Sequence, residues 1–243
     1  MDFPIREICY ASGIFWIAGS LQGLTGFGFN LLSIPAMVLW FPAQVVVPGV
    51  LMSYLPLGTG QFIQLRRDVD WKVLGMIVGT AIVGMPLGAF ILRDTDAEVM
   101  KRAIGFAMVV LAIVLQLRPG NPFRHDALTC GGVGMFSGFL SASIGVSGPP
   151  IVLFGLKQRW PQAMMRATLL TCFLCTSTLS LCVLWAVGVL THESLQFVLW
   201  GAPGLILGFL TSTYLRARVH QVAVFRWISI GMVMAGGLAA AIF

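Results

Sequence analysis

Charge is what this sequence has least of. Its 243 residues include nine acidic and 15 basic side chains, so charged residues make up 10% of the chain, against roughly 25% in a typical soluble domain. No Asp, Glu, Lys or Arg occurs in residues 8–65, 73–92, 103–117, 127–156 or 167–191. A helix that crosses the hydrocarbon core needs about 20 mostly apolar residues, so these runs hold several crossings. With 58% apolar residues and a mean hydropathy of +0.91, the chain reads as an all-α polytopic membrane protein.

Other absences narrow the function. There is no HExxH motif and no pair of Asp residues inside an apolar run, and His125, His192 and His220 fall in loops. An intramembrane enzyme needs a nucleophile and base, or a metal cluster, on facing helices; nothing here supplies one. The sequence implies no cofactor and no metal. Cysteine is sparse and odd in number, at positions 9, 130, 172, 175 and 182. "CFLC" at 172–175 has the spelling of a redox CxxC without its setting, and all five read as small packing hydrophobes. The net charge of +6 comes from cations scattered through short loops, as topology signals are, and implies no nucleic acid. A basic leader with a small-residue cleavage site is also missing, so the first segment is expected to be a retained helix.

What the chain does have is glycine and proline at particular places. Breaks in hydropathy divide it into segments at about 7–27, 43–65, 72–92, 99–117, 127–146, 163–189, 194–215 and 222–243. Two short arms, 31–41 and 149–157, have about half the length a crossing needs. The halves repeat, predicting units 1–117 and 127–243 joined by the loop 118–126. At an offset of 115, Gly19, Gly23 and Pro35 fall on Gly134, Gly138 and Pro150. Pro42 then matches Pro161, Gly84 and Gly88 match Gly204 and Gly208, and "RAIGFAMV" at 102–109 matches "RWISIGMV" at 226–233. Internal repeats are a transporter signature.

Cation placement tests the relative direction of the halves. If each arm turns back to the side its preceding helix came from, Arg66, Arg67, Lys72, Arg118, Arg124, Lys157, Arg159, Arg166, Arg216, Arg218 and Arg226 share one side. Only Arg6, Arg93, Lys101 and Arg102 then lie opposite, a division of 11 to 4. Ignoring the arms gives 9 to 6. Because cations concentrate on the cytoplasmic side, the first arrangement is preferred. It predicts two inverted repeats, each a re-entrant or broken helix hairpin plus three transmembrane helices, with about eight long helices and two short arms in all. Both termini are then expected outside a plasma (inner) membrane.

Residues 23–35, "GLTGFGFNLLSIP", and 138–150, "GFLSASIGVSGPP", contain the breaks that create the arms. Broken backbone inside a membrane persists only where it is buried in protein or lines a wet cavity. Ser33 with Pro35, and Ser147 with Pro149 and Pro150, are expected as N-caps with proline in the first turn. A helix start carries unpaired N–H groups and about half a positive charge, which suits an anion. The candidate substrate-binding residues are therefore Thr25, Gly26, Gly28, Asn30, Ser33, Ser141, Ser143, Gly145, Ser147 and Gly148, with Arg166 as a cation at the cytoplasmic mouth or a snorkelling interface residue. Gln22, Thr59, Gln61, Gln64, Thr168 and Thr171 are secondary polar candidates. Gly19, Gly23, Gly134 and Gly138 are assigned to close helix packing.

The paired motifs, GxxGFGxxLLxxP and GxxSxxxGxxGPP, resemble the sulfite exporter TauE/SafE family over nearly the whole chain. The resemblance implies a membrane transporter of sulfite, sulfonates or related sulfur-containing anions. It carries the family's glycine-rich motifs onto Gly23, Gly26, Gly28 and Pro35, then Gly138, Gly145, Gly148 and Pro150. Here Asn30 stands in the first copy and Ser143 takes the position aligned with Gly28. The expected partners are a small anionic substrate and the lipid bilayer, with a homo-oligomer as an open alternative. All nine acidic residues lie in loops or at helix ends, which disfavours an intramembrane proton relay and favours potential-driven anion efflux. An anion channel and a structural membrane subunit are the competing readings.

Overall fold

The computed structural model describes residues 5–25, 28–116 and 127–216. Its helices are α1 (Ile5–Thr25), α2 (Phe29–Met37), α3 (Ala43–Leu65), α4 (Trp71–Asp94), α5 (Ala97–Gln116), α6 (Ala127–Ile144), α7 (Gly148–Lys157), α8 (Gln162–Ala186) and α9 (His192–Arg216), with a 3-10 turn at Arg66–Asp68. No strand occurs among the described residues. The loop 118–126 and the segment 222–243 lie outside them. Among the described residues four helical spans are long and apolar enough to cross a membrane: Ala43–Asp68, Trp71–Asp94, Gln162–Ala186 and His192–Ser212. The chain is a multi-pass helical membrane protein.

Local chemistry sets the helix ends. Asp70 opens α4, its carboxylate accepting the N–H groups of Lys72 and Val73, each at 3.1 Å, as an N-cap aspartate does. At the end of α8, Gly188 takes φ +80° and the Val189 N–H donates to the Leu184 carbonyl at 2.9 Å, closing the helix by a left-handed cap. The arms are shorter than any crossing. α2 has 9 residues and α7 has 10, about 15 Å or less at 1.5 Å per residue.

The chain divides into two compact units. The first holds Met1–Ser53, Asp96–Ala112 and Thr191–Phe243; the second holds Tyr54–Thr95 and Ile113–Leu190. In the first unit the dominant contact is α1 on α9. A Cβ added to Gly204 would overlap the Ser12 carbonyl, and one added to Gly208 would lie 2.8 Å from the Trp16 carbonyl oxygen. The Ser12 hydroxyl donates to the Trp200 carbonyl at 2.8 Å, and the Trp16 indole N–H to Thr211 Oγ1 at 3.0 Å. Phe15, Phe29, Phe41 and Phe197 fill the space beside this seam.

In the second unit the dominant contact is α4 on α6. Added Cβ atoms at Gly84, Gly88, Gly134 and Gly138 would overlap the carbonyls of Met135, Phe139, Ile77 and Ala81 in turn. Small residues give membrane helices this approach, because between lipid-solvated helices packing replaces the hydrophobic effect. The expected packing role of Gly19, Gly134 and Gly138 is what the contacts show. The opposite faces carry exposed Ile82, Val83, Leu87 and Phe90 on α4, and Leu199, Ile206, Leu207 and Leu210 on α9, which suit lipid.

The course of the second unit follows from three contacts. Ile77 and Ala81 of α4 meet Gly134 and Gly138 of α6 in ascending order, so these helices run parallel. The Asp70 N–H donates to Thr168 Oγ1 at 3.1 Å, which puts the start of α8 beside the start of α4. One apolar cluster joins Val69, Val73 and Ile77 with Cys130 of α6, Ile151, Val152 and Phe154 of α7, and Ala167 and Leu169 of α8. The starts of α4, α6 and α8 therefore share one end, and α7 carries the chain back to it. The return closes at Arg159, a non-glycine residue at φ 53°, where the Trp160 N–H donates to the Gly155 carbonyl at 3.1 Å.

Candidate functional site

The break after α6 is built by a glycine. Gly145 takes φ +71°, its N–H donating to the Ser141 carbonyl at 3.1 Å and the Val146 N–H to the Leu140 carbonyl at 3.3 Å. The first is the single bond of an αL cap, and the second reaches one residue further back than a Schellman cap would. Two residues later Ser147 is the N-cap of α7, as expected from position. Its side chain makes no capping bond. Pro149 and Pro150 occupy the second and third helical positions and have no N–H, so Gly148 supplies the one N–H in the first three.

Hydroxyls gather around this break. Ser137 Oγ donates to the Ser147 carbonyl at 2.6 Å, Thr176 Oγ1 to Ser147 Oγ at 3.0 Å, and Ser180 Oγ to Ser141 Oγ at 2.9 Å. Ser137, Ser141, Thr176 and Ser180 are each 0% exposed, and Ser147 is 5% exposed. Ser141 accepts the hydroxyl of Ser180, which leaves its own proton to donate. The single proton of Thr176 is shared between Ser147 Oγ and the Cys172 carbonyl at 2.8 Å, so Ser147 donates to a ligand when Thr176 bonds to it rather than to Cys172. The ring of Phe173 covers Gly148, 3.1 Å from where a Cβ would stand.

Of the candidates in the second half, Ser141, Gly145, Ser147 and Gly148 thus come together. Ser143 does not join the hydroxyls, because its Oγ turns back to the Phe139 carbonyl at 2.7 Å. Arg166 is half-buried in the second turn of α8, ten residues or about 15 Å along the axis from Thr176. Ser137, Thr176 and Ser180 were not among the sequence candidates. Ser137 had a signal, since it sits 115 residues after Gln22; Thr176 and Ser180 had none beyond being polar in an apolar helix.

The first break differs in detail. Thr25 is the last residue of α1, and Gly26 lies outside the described residues. Gly28, at φ +115°, is the N-cap of α2. The Phe29 N–H is taken by the side chain of Gln22, Oε1 at 3.1 Å. Asn30 is half-buried in the first turn. The expected capping role of Ser33 is corrected: it is the fifth residue of α2 and Pro35 the seventh. An N-cap requires non-helical dihedrals, and the left-handed Gly28 meets that need five residues earlier. Ser33 is instead 0% exposed, and its Oγ has no hydrogen-bond partner among the described residues.

At the end shared by the starts of α4 and α8, a cleft of about 370 Å³ is lined by Arg67, Asp68, Val69, Asp70, Pro161, Ala163 and Met164. Among the described residues no group of three His, Cys, Asp or Glu side chains forms a metal site.

The chain matches no curated protein and no solved structure significantly. A family model does match, described as sulfite exporter TauE/SafE and covering residues 11–240. Both helix breaks and every described helix lie within or overlap that span, and the chain belongs to the sulfite exporter TauE/SafE family.

Proposed function

We propose that this transporter carries a small sulfur-containing anion, sulfite or an organosulfonate, out of the cell by alternating access, and binds it at the helix breaks. The observation that carries this reading is the cluster at Gly145, where buried hydroxyls surround the start of α7. Ser141, Ser147 and the Gly148 N–H act as donors to the anion's oxygens, with Ser137, Thr176 and Ser180 holding them in place. In the first half, Gly28, Asn30 and Ser33 are the corresponding candidates, together with Thr25 and Gly26. The unpartnered hydroxyl of Ser33 supports their inclusion, since a buried polar group without a partner is costly unless a ligand or water completes it. Arg166 is assigned to attracting anions at the cytoplasmic end.

The proposed topology places residues 1–117 and 127–243 as inverted copies, with both termini outside the inner membrane. The Asp70–Thr168 bond supports it: were the arms ignored in counting crossings, these residues would fall on opposite sides of the bilayer. An inside-negative potential favours anion exit by about 2.3 kcal/mol per charge per 100 mV, so efflux needs no coupled proton. The test is purified protein in liposomes, with sulfite and sulfonate fluxes measured at clamped voltage. Saturable flux with counterflow supports a carrier, and non-saturating flux points to a channel. Absence of flux would leave a structural subunit, and strict dependence on a proton gradient at fixed voltage refutes potential-driven export.

A further inference from the structure

The sequence around each break carries no formal charge. Residues 8–65, 127–156 and 167–191 contain both breaks and the hydroxyl-bearing part of α8, and none of them is charged; residues 194–215, the interior of α9, have none either. Arg166, the nearest cation along α8, is about 15 Å from Thr176. The donors at the second break are therefore neutral: the hydroxyls of Ser141 and Ser147 and the Gly148 N–H. The macrodipole of α7 adds at most about half a positive charge.

Such a donor set distinguishes anions by charge. The cost of taking an ion out of water grows with the square of its charge, so a dianion pays about four times what a monoanion does in the Born picture. Attraction to neutral donors and to a helix end grows only in proportion to charge. With no Lys or Arg side chain among the described donors at the break, the balance tips against two charges on one ligand. Sites that hold doubly charged oxyanions usually meet them with Arg or Lys.

We infer that the site is selective for monoanions: organosulfonates are carried as R–SO₃⁻, sulfite is carried as HSO₃⁻, and the dianions SO₃²⁻ and SO₄²⁻ are excluded. This rests on the transport reading above. For sulfite the balance is SO₃²⁻ + H⁺ giving HSO₃⁻ before loading, so each exported ion takes one proton with it and moves one negative charge. No protein carboxylate needs to relay that proton.

Methanesulfonate and sulfate are suitable probes, because they are close in size and shape and keep one and two charges at neutral pH. Proteoliposomes would be loaded with each at equal concentration, and flux measured at a fixed potassium–valinomycin potential. The expected flux of methanesulfonate exceeds that of sulfate by about tenfold or more, the equivalent of one decade in binding. Methanesulfonate should also raise the thermal midpoint of the detergent-solubilised protein at concentrations where sulfate does not. Equal or greater flux and protection by sulfate would overturn monoanion selection while leaving the transport reading intact. Failure of methanesulfonate, sulfate and sulfite alike to move or to protect would overturn both. In Ser141→Ala and Ser147→Ala, methanesulfonate flux should fall; unchanged flux in both would remove these hydroxyls from the site and with them the neutral-donor argument.

Discussion

Gln22 reaches across the break between α1 and α2, its side-chain oxygen accepting the N–H of Phe29 at 3.1 Å. At the sequence offset of 115, its counterpart is Ser137, whose hydroxyl donates to the Ser147 carbonyl at 2.6 Å. Each residue is buried in the first long helix of its half, and each holds the backbone where the following short arm begins. One offers an acceptor and the other a donor, so the position is shared while the bond is reversed. Backbone groups freed by a helix break must be satisfied inside the protein when no water is at hand, and both halves do so from the preceding helix.

Replacing Gln22 separates structure from charge. Gln22→Leu leaves the Phe29 N–H without its acceptor, and the thermal midpoint in detergent should drop, corresponding to about 1–3 kcal/mol for a buried unsatisfied group. Gln22→Glu keeps an acceptor but sets a negative charge at the start of α2. Its midpoint should stay nearer wild type while anion flux falls below that of Gln22→Leu per folded molecule. Equal flux in the two variants would argue that no anion approaches this break.

The glycine seams should be intolerant of a single methyl group. Gly84→Ala would drive a Cβ into the Met135 carbonyl, and Gly204→Ala one into that of Ser12. Overpacking of this kind costs typically about 1–3 kcal/mol. Gly75→Ala and Gly79→Ala, with nothing within 4 Å of the added atom, serve as controls on the same helix as Gly84. Thermal unfolding followed by size-exclusion chromatography should rank the first pair well below the second.

Within the hydroxyl cluster, Thr176→Val is a near-isosteric removal of one donor. It breaks the 3.0 Å bond to Ser147 and frees that side chain to turn. Flux at low substrate should fall by about tenfold if a bond worth about 1–1.5 kcal/mol positions the ligand's donor, with the apparent KM rising more than the maximal rate changes. Thr178→Val, whose hydroxyl only back-bonds to the Leu174 carbonyl at 2.8 Å, should leave both near wild type.

At the end shared by α4 and α8, Asp70→Ala removes the cap of α4 and should cost about 1 kcal/mol. Thr168→Val removes the acceptor of the Asp70 N–H. Because both changes act on one hydrogen-bonded corner, the double variant should be less destabilised than the sum of the singles. The Asp70 N–H survives in Asp70→Ala, so the Asp70–Thr168 bond is read from Thr168→Val alone: a thermal midpoint equal to wild type would show that this bond does not stabilise the membrane-extracted protein.

The segment boundaries were legible because charge in hydrocarbon is expensive and these runs exclude it. Expected segments at 43–65, 72–92 and 163–189 became α3 at Ala43–Leu65, α4 at Trp71–Asp94 and α8 at Gln162–Ala186. The short arms were legible from glycine and proline, which punctuate a helix in any context. Ser33 was misread because Ser-x-Pro imitates an N-cap signature, while the true start depends on the φ of Gly28 and on a side chain seven residues upstream of Phe29.

By itself the sequence determined that this chain spans a membrane repeatedly, where α3, α4 and α8 lie to within a few residues, and that the sequence around both breaks is uncharged. Those properties are local, fixed by hydrocarbon length and by the backbone preferences of glycine and proline. Tertiary structure alone decided that Thr176 meets Ser147 across 29 residues and Ser180 meets Ser141 across 39. An apolar helix has no polar face to announce its rotation. Which hydroxyls turn inward is set by how closely backbones approach along the small-residue seams, and that depends on the neighbouring helix.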